Sequence, residues 1–135
     1  MTAASTAGCR PAPRRYATTV RRRTGSGVRV DGLFVSPVPA MGASGAVLAS
    51  AHLATRRFAE LADAWRTGDA GRARPLGHAL ARLSAALFRE PSPTVLKAVL
   101  YEQGVIPTPA VRLPLLPAGE DTVAEALKRL GELEG

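Results

Sequence analysis

The sequence predicts a mainly α-helical chain with one or two short parallel strands, and three observations lead there. One is the stretch Gly42-Ala43-Ser44-Gly45-Ala46-Val47-Leu48-Ala49-Ser50-Ala51, an uncharged run of small and β-branched residues. Such a run, set ahead of a long amphipathic segment, reads as a buried parallel strand; periodicity alone does not separate it from a buried helical turn. Another is the chain after it, where apolar residues recur at helical spacing in four successive segments. The last is proline, which clusters between those segments and interrupts them.

Taken in order, Met1 to Gly27 mixes Thr, Ser, Ala, Gly, Pro and Arg with little to bury, and reads as a disordered leader (1–27) ahead of a single domain at 28–135. The net charge of +7 belongs to this leader. Residues 1–29 hold seven arginines and no acid, while residues 30–135 hold eleven basic and eleven acidic residues. Arg21-Arg22-Arg23 could touch phosphates, but the domain brings no basic or aromatic surface to support them, so nucleic acid is not an expected partner. The acid-free start also resembles a transit peptide, and Arg14-Arg15 a twin-arginine pair with no hydrophobic segment behind it. An unstructured leader is the plainer reading.

Val28-Arg29-Val30 alternates as a short strand, and Asp31-Gly32 signals a turn. Leu33 to Met41 carries Pro37 and Pro39, which leaves room for one interrupted helical turn. Ala54 to Arg66 places Phe58, Leu61, Ala62 and Trp65 on one stripe, with Thr55 as its N-cap and Gly68 at its end. A second helix runs from Gly71 or Pro75 to Phe88 on Leu76, Leu80, Leu83 and Leu87, with Pro75 marking its start or a kink. Thr94 to Gln103 is a third, on Val95, Leu96, Val99 and Leu100, ended by Gly104. Pro107, Pro109, Pro114 and Pro117 make Val105–Pro117 an extended surface connection, and Asp121 to Leu133 a last helix on Val123, Ala126, Leu127 and Leu130.

Chemistry is sparse along this frame. Cys9 is the single cysteine, so no internal disulfide and no Cys/His zinc set exists; no metal and no cofactor is expected. No apolar run reaches the roughly 18 residues of a membrane span, and a reducing cytoplasm is the expected setting. His52 follows the candidate strand at the end where parallel α/β folds place their sites, but it lacks a nearby carboxylate or cysteine and reads as a packing or capping residue. His78 reads as a surface or interhelical residue, Tyr101 and Glu102 as helix surface. Lys97 could be a Schiff-base nucleophile if buried, yet its amphipathic helix points it to solvent. Neither a GxGxxG nor a Walker pattern is present. On residues alone the chain is a mainly helical piece, and a helical interaction module with a basic N-terminal arm is one reading of it.

Three stretches add a resemblance. Met41 to Ser50 is similar to the eighth strand, with its glycine-rich turn, of the dihydrodipicolinate synthase and N-acetylneuraminate lyase family of class I pyruvate aldolases. Leu87-Phe88-Arg89-Glu90-Pro91-Ser92-Pro93-Thr94-Val95-Leu96-Lys97-Ala98 resembles its Phe-x-Glu-x-Asn-Pro-x-x-x-Lys segment, with Ser92 where asparagine is usual. Val111-Arg112-Leu113-Pro114-Leu115-Leu116-Pro117 resembles its Arg-x-Pro run. The resemblance covers residues 28–135 and implies the C-terminal part of a (β/α)8 barrel plus the extra C-terminal helices. It implies a lyase lineage that joins or splits pyruvate and an aldehyde through a lysine imine, as in lysine biosynthesis. A full barrel needs about 250 residues, and the family's imine lysine, relay tyrosine and paired threonines lie upstream of the matched part. Neither Tyr16 nor Lys97 takes those roles, so no catalytic residue is assigned and a truncated, inactive chain is expected. Val47 alone maps to a substrate position, packing on pyruvate near its carboxylate. The partners the resemblance implies are pyruvate and an aldehyde in the intact family, and a second copy or a complementary barrel fragment for this chain.

Overall fold

The computed structural model describes residues 27–29, 34–41 and 43–135. The expectations for residues 1–26 of the leader, for Val30, for the Asp31-Gly32 turn and for Leu33 and Gly42 lie outside them, while Gly27, placed at the end of the leader, lies in a strand. Two strands, β1 (Gly27–Arg29) and β2 (Gly45–Val47), pair in parallel, with Gly27 opposite Gly45, Val28 opposite Ala46 and Arg29 opposite Val47. A 3-10 turn at Val38–Met41 precedes β2, where the two prolines left room for one turn only. Four helices follow: α1 (Ala51–Thr67), α2 (Ala70–Leu87), α3 (Thr94–Glu102) and α4 (Glu120–Glu134). The mainly α expectation with short parallel strands therefore holds.

The core is helical. α2 packs on α1 and α4, and α3 packs on α4. Leu61, Leu80, Leu83, Val95 and Val99 are almost wholly buried where these helices meet, and Leu130 and Leu133 close the cluster from α4. The leucine repeat of the second helix explains its reach, since residues at i, i+4, i+7 and i+11 fall on one face.

Several expectations are corrected. The strand expected to be buried is exposed at Gly45, Ala46 and Val47 and ends at Val47. The helices bury their apolar faces against one another, not against the ribbon. α1 begins at Ala51 and not Ala54, with Ser50 at its cap position; Ala54 is its break, at φ −130° and ψ 42°. Thr55 does not cap: its hydroxyl donates to the Ala51 carbonyl across that break. Ala62 faces solvent while Ala64 is buried, so the α1 seam runs Ala54, Phe58, Leu61 and Ala64. Pro75 does not start α2 but lies inside it; the helix opens at Ala70, where the Asp69 carboxylate accepts the Arg72 N–H at 3.0 Å. Asp69 satisfies an early donor of the helix, and proline near the start removes only one further bond.

Candidate functional site

β2 carries Val47, the residue for which the family resemblance implies a substrate contact. Val47 ends it with 68% of its surface exposed. Beyond Val47, Leu48 packs partly into the core and Ser50 is buried before the chain turns into α1. Ahead of β2, Val38 is buried, and the Ala43 N–H donates back to its carbonyl at 3.4 Å. Further back, Ser36 sits between two helices. The Trp65 Nε1–H of α1 donates to Ser36 Oγ at 3.3 Å. On the other side is Gly77 of α2, where an added Cβ would stand 2.5 Å from Ser36 Oγ and 2.9 Å from Ser36 Cβ.

The other singled-out residues do not converge on Val47. His52 lies exposed in the first turn of α1, and His78 is exposed on α2. Tyr101 and Glu102 are exposed at the end of α3. Lys97 is only half exposed, and its Nζ donates to the Ala110 carbonyl, which ties α3 to the proline-rich strap. Lys128, the other lysine, is exposed on α4. Glu90 holds the far end of the strap by accepting the Gly119 N–H at 3.0 Å.

Hollows open on the surface of the described residues. A cleft of about 500 Å³ opens between the start of α1 and the end of α4, lined by Leu53, Ala54, Arg57, Leu130 and Glu134. A smaller one of about 330 Å³ lies under the strap between Pro93, Lys97 and Arg112. Val47 lines neither. Beside the larger cleft Glu60 accepts from Arg56 and Arg57 at 3.1 and 3.2 Å, with Arg72 at 3.7 Å. The hydrogen bond from Arg57 is the main cause holding the Glu60 carboxyl below its ordinary value. Among the described residues no His, Cys, Asp and Glu group could hold a metal ion, and no described helix is long and apolar enough to cross a membrane.

Ser36 and Gly77 are absent from the sequence expectations. A signal for Gly77 existed: an isolated glycine inside a leucine-rich helix costs about 1 kcal/mol against alanine, so its use there marks a close approach. Nothing in Val35-Ser36-Pro37 identifies the partner of that approach.

Comparison with known proteins agrees with the geometry of strand ribbon and helices. The model of the dihydrodipicolinate synthetase family matches residues 21–132. The chain is 38% identical over 100 residues to 4-hydroxy-tetrahydrodipicolinate synthase of Methanopyrus kandleri, which covers 72% of this chain and 33% of that one. It is 35% identical over 91 residues to 4-hydroxy-tetrahydrodipicolinate synthase 2 of Clostridium acetobutylicum, covering 67% and 32%. Among solved structures, dihydrodipicolinate synthase of Thermotoga maritima superposes with a TM-score of 0.71 at 29% identity, over 77% of this chain and 35% of that one. The chloride-inhibited dihydrodipicolinate synthase of Acinetobacter baumannii, complexed with pyruvate, superposes with a TM-score of 0.66 at 31% identity, over 75% and 35%. The chain thus spans about one third of the length of the relatives it matches. With the family model matched along most of its length, the chain belongs to the dihydrodipicolinate synthetase family.

Proposed function

We propose that this chain supplies the C-terminal wall of a pyruvate-dependent lyase of the dihydrodipicolinate synthase type, and that by itself it forms no imine. In that chemistry a lysine amine condenses with the pyruvate ketone and water leaves. The imine then loses a proton from the pyruvate methyl group, and the enamine carbon so formed attacks an aldehyde. Val47 would stand beside the bound pyruvate, near its carboxylate, as an apolar contact. The carrying observation is the contrast between Val47 and the lysines. Val47 is open on a strand, while Lys97 is committed to the Ala110 carbonyl and Lys128 lies on the outside of α4. The reading places the chain in the lineage of lysine biosynthesis, in a reducing cytoplasm, with a complementary strand-bearing portion of the barrel as its partner.

Borohydride trapping tests this. The purified chain with pyruvate and borohydride is expected to gain no pyruvyl mass. With the N-terminal two thirds of the Methanopyrus kandleri relative added in trans, that added chain should acquire the adduct and Val47→Asp should suppress it. A stoichiometric adduct on Lys97 or Lys128 of the chain alone overturns the inactive reading. No adduct on the complemented pair, or one indifferent to Val47→Asp, overturns the wall.

A further inference from the structure

All three residues of β2 are exposed, so the strand has no packing of its own to hold it over the helices. Apart from its backbone pairing with β1, it is held at its two ends. On the exit side the chain is anchored by partly buried Leu48 and buried Ser50 as it becomes α1. On the approach side the anchor is Ser36. The chain runs from Ser36 through buried Val38, and the Ala43 N–H closes that loop on the Val38 carbonyl just before Gly45. Eight residues separate Ser36 from Gly45, and the Val38–Ala43 hydrogen bond shortens that path, so a shift at Ser36 can reach Gly45.

Two helices grip Ser36 at once. The α1 indole donates to its hydroxyl, and the bare backbone of Gly77 on α2 lets its side chain come closer than any Cβ would allow. We propose that Ser36 is the positioning residue of β2: held between Trp65 and Gly77, it sets where Val47 stands over the helical layer. Its consequence for pyruvate rests on the function proposed above, whereas the placement of the strand stands without it. The sign of one substitution makes the idea sharp. Glycine to alanine inside a helix ordinarily stabilises, but a methyl at Gly77 runs into Ser36 and must push the approach loop away.

Hydrogen exchange read by mass spectrometry on the full chain, at sub-micromolar concentration, tests the placement. Trp65→Phe keeps an aromatic ring and removes the donor; Gly77→Ala crowds the hydroxyl. Each should raise exchange of the peptide spanning Gly45 to Ala49 by roughly three- to tenfold, the range of one lost hydrogen bond. Peptides from α3 and α4 should not change. Because both variants act through Ser36, the double variant should fall short of the product of the two. Exchange unchanged at Gly45–Ala49, or raised equally across all helices, overturns the proposal. If Gly77→Ala prevents folding, Trp65→Phe alone still decides by the same local readout. Pyruvate is absent from the measurement, so failure of the proposed function would leave this outcome untouched.

Discussion

Ser84 sits on the buried side of α2, wholly shielded, with no hydrogen-bond partner for its hydroxyl among the described residues. Its neighbour Leu83 is equally shielded and wholly apolar. The two predict opposite outcomes from the same kind of truncation. Ser84→Ala removes an oxygen whose desolvation nothing offsets, so stability should rise by about 1 kcal/mol. Leu83→Ala empties a packed site and should cost about 2–5 kcal/mol. Urea midpoints at constant slope measure both, and a loss of stability in Ser84→Ala would mean that its hydroxyl has found a partner. Leu113, 86% exposed on the strap, marks the other extreme: Leu113→Ser should leave the midpoint where it is.

At the level of elements, charge on α1 makes a testable case. Glu60 gathers Arg56, Arg57 and Arg72, and the hydrogen bond from Arg57 lowers its folded value below 4.5. A depressed carboxyl contributes stability that is fully present above its unfolded value and lost as pH falls through the folded one. Thermal midpoints of the chain should therefore fall on acidification below pH 4.5, and Glu60→Gln should flatten that part of the profile while leaving the neutral range lower than wild type. A variant with an unchanged acid limb would remove Glu60 from the account. The same helix shows how legible the elements were. Its C-terminal end was readable because Gly68 takes a positive φ of 77° there, and Gly104 ends α3 in the same way at 69°. Its start was not, because the break at Ala54 looks from sequence like a beginning, and Thr55 like a cap. Helix seams were readable from leucine spacing, although Ala62, expected on the α1 seam, is exposed and Ala64 lies there, since alanine weighs too little in a stripe to fix its phase. The exposure of β2 was not readable. An uncharged run reports the covering a segment is suited to, and the described helices do not provide it. Val47 could be singled out only by resemblance, and the grip on Ser36 depends on contacts 29 and 41 residues away in the chain, which no local pattern carries.

For the whole molecule, the helices and the strands are unequal. The four helices share one closed cluster of buried residues, enough to hold helical structure. The ribbon has two strands of three residues, and its exposed segment from Gly45 to Val47 carries no charge to discourage pairing with another strand. Phe34 and Val47 are exposed on this part of the chain, while Val105, Leu113 and Leu116 are exposed along the strap. In solved relatives the matched part is about one third of the chain, so surfaces of this kind have far more protein available to meet them. Apolar surface left open favours association. The isolated chain should therefore show strong helical circular dichroism, bind a hydrophobic dye and self-associate at micromolar concentration. Val47→Lys should weaken both dye binding and association, because a charge on the open strand opposes edge pairing, without lowering helicity. The opposite outcome is equally concrete. A clean monomer with a sharp cooperative melt and no dye binding would show that the ribbon has found a cover within this chain, and that it needs no partner to be stable.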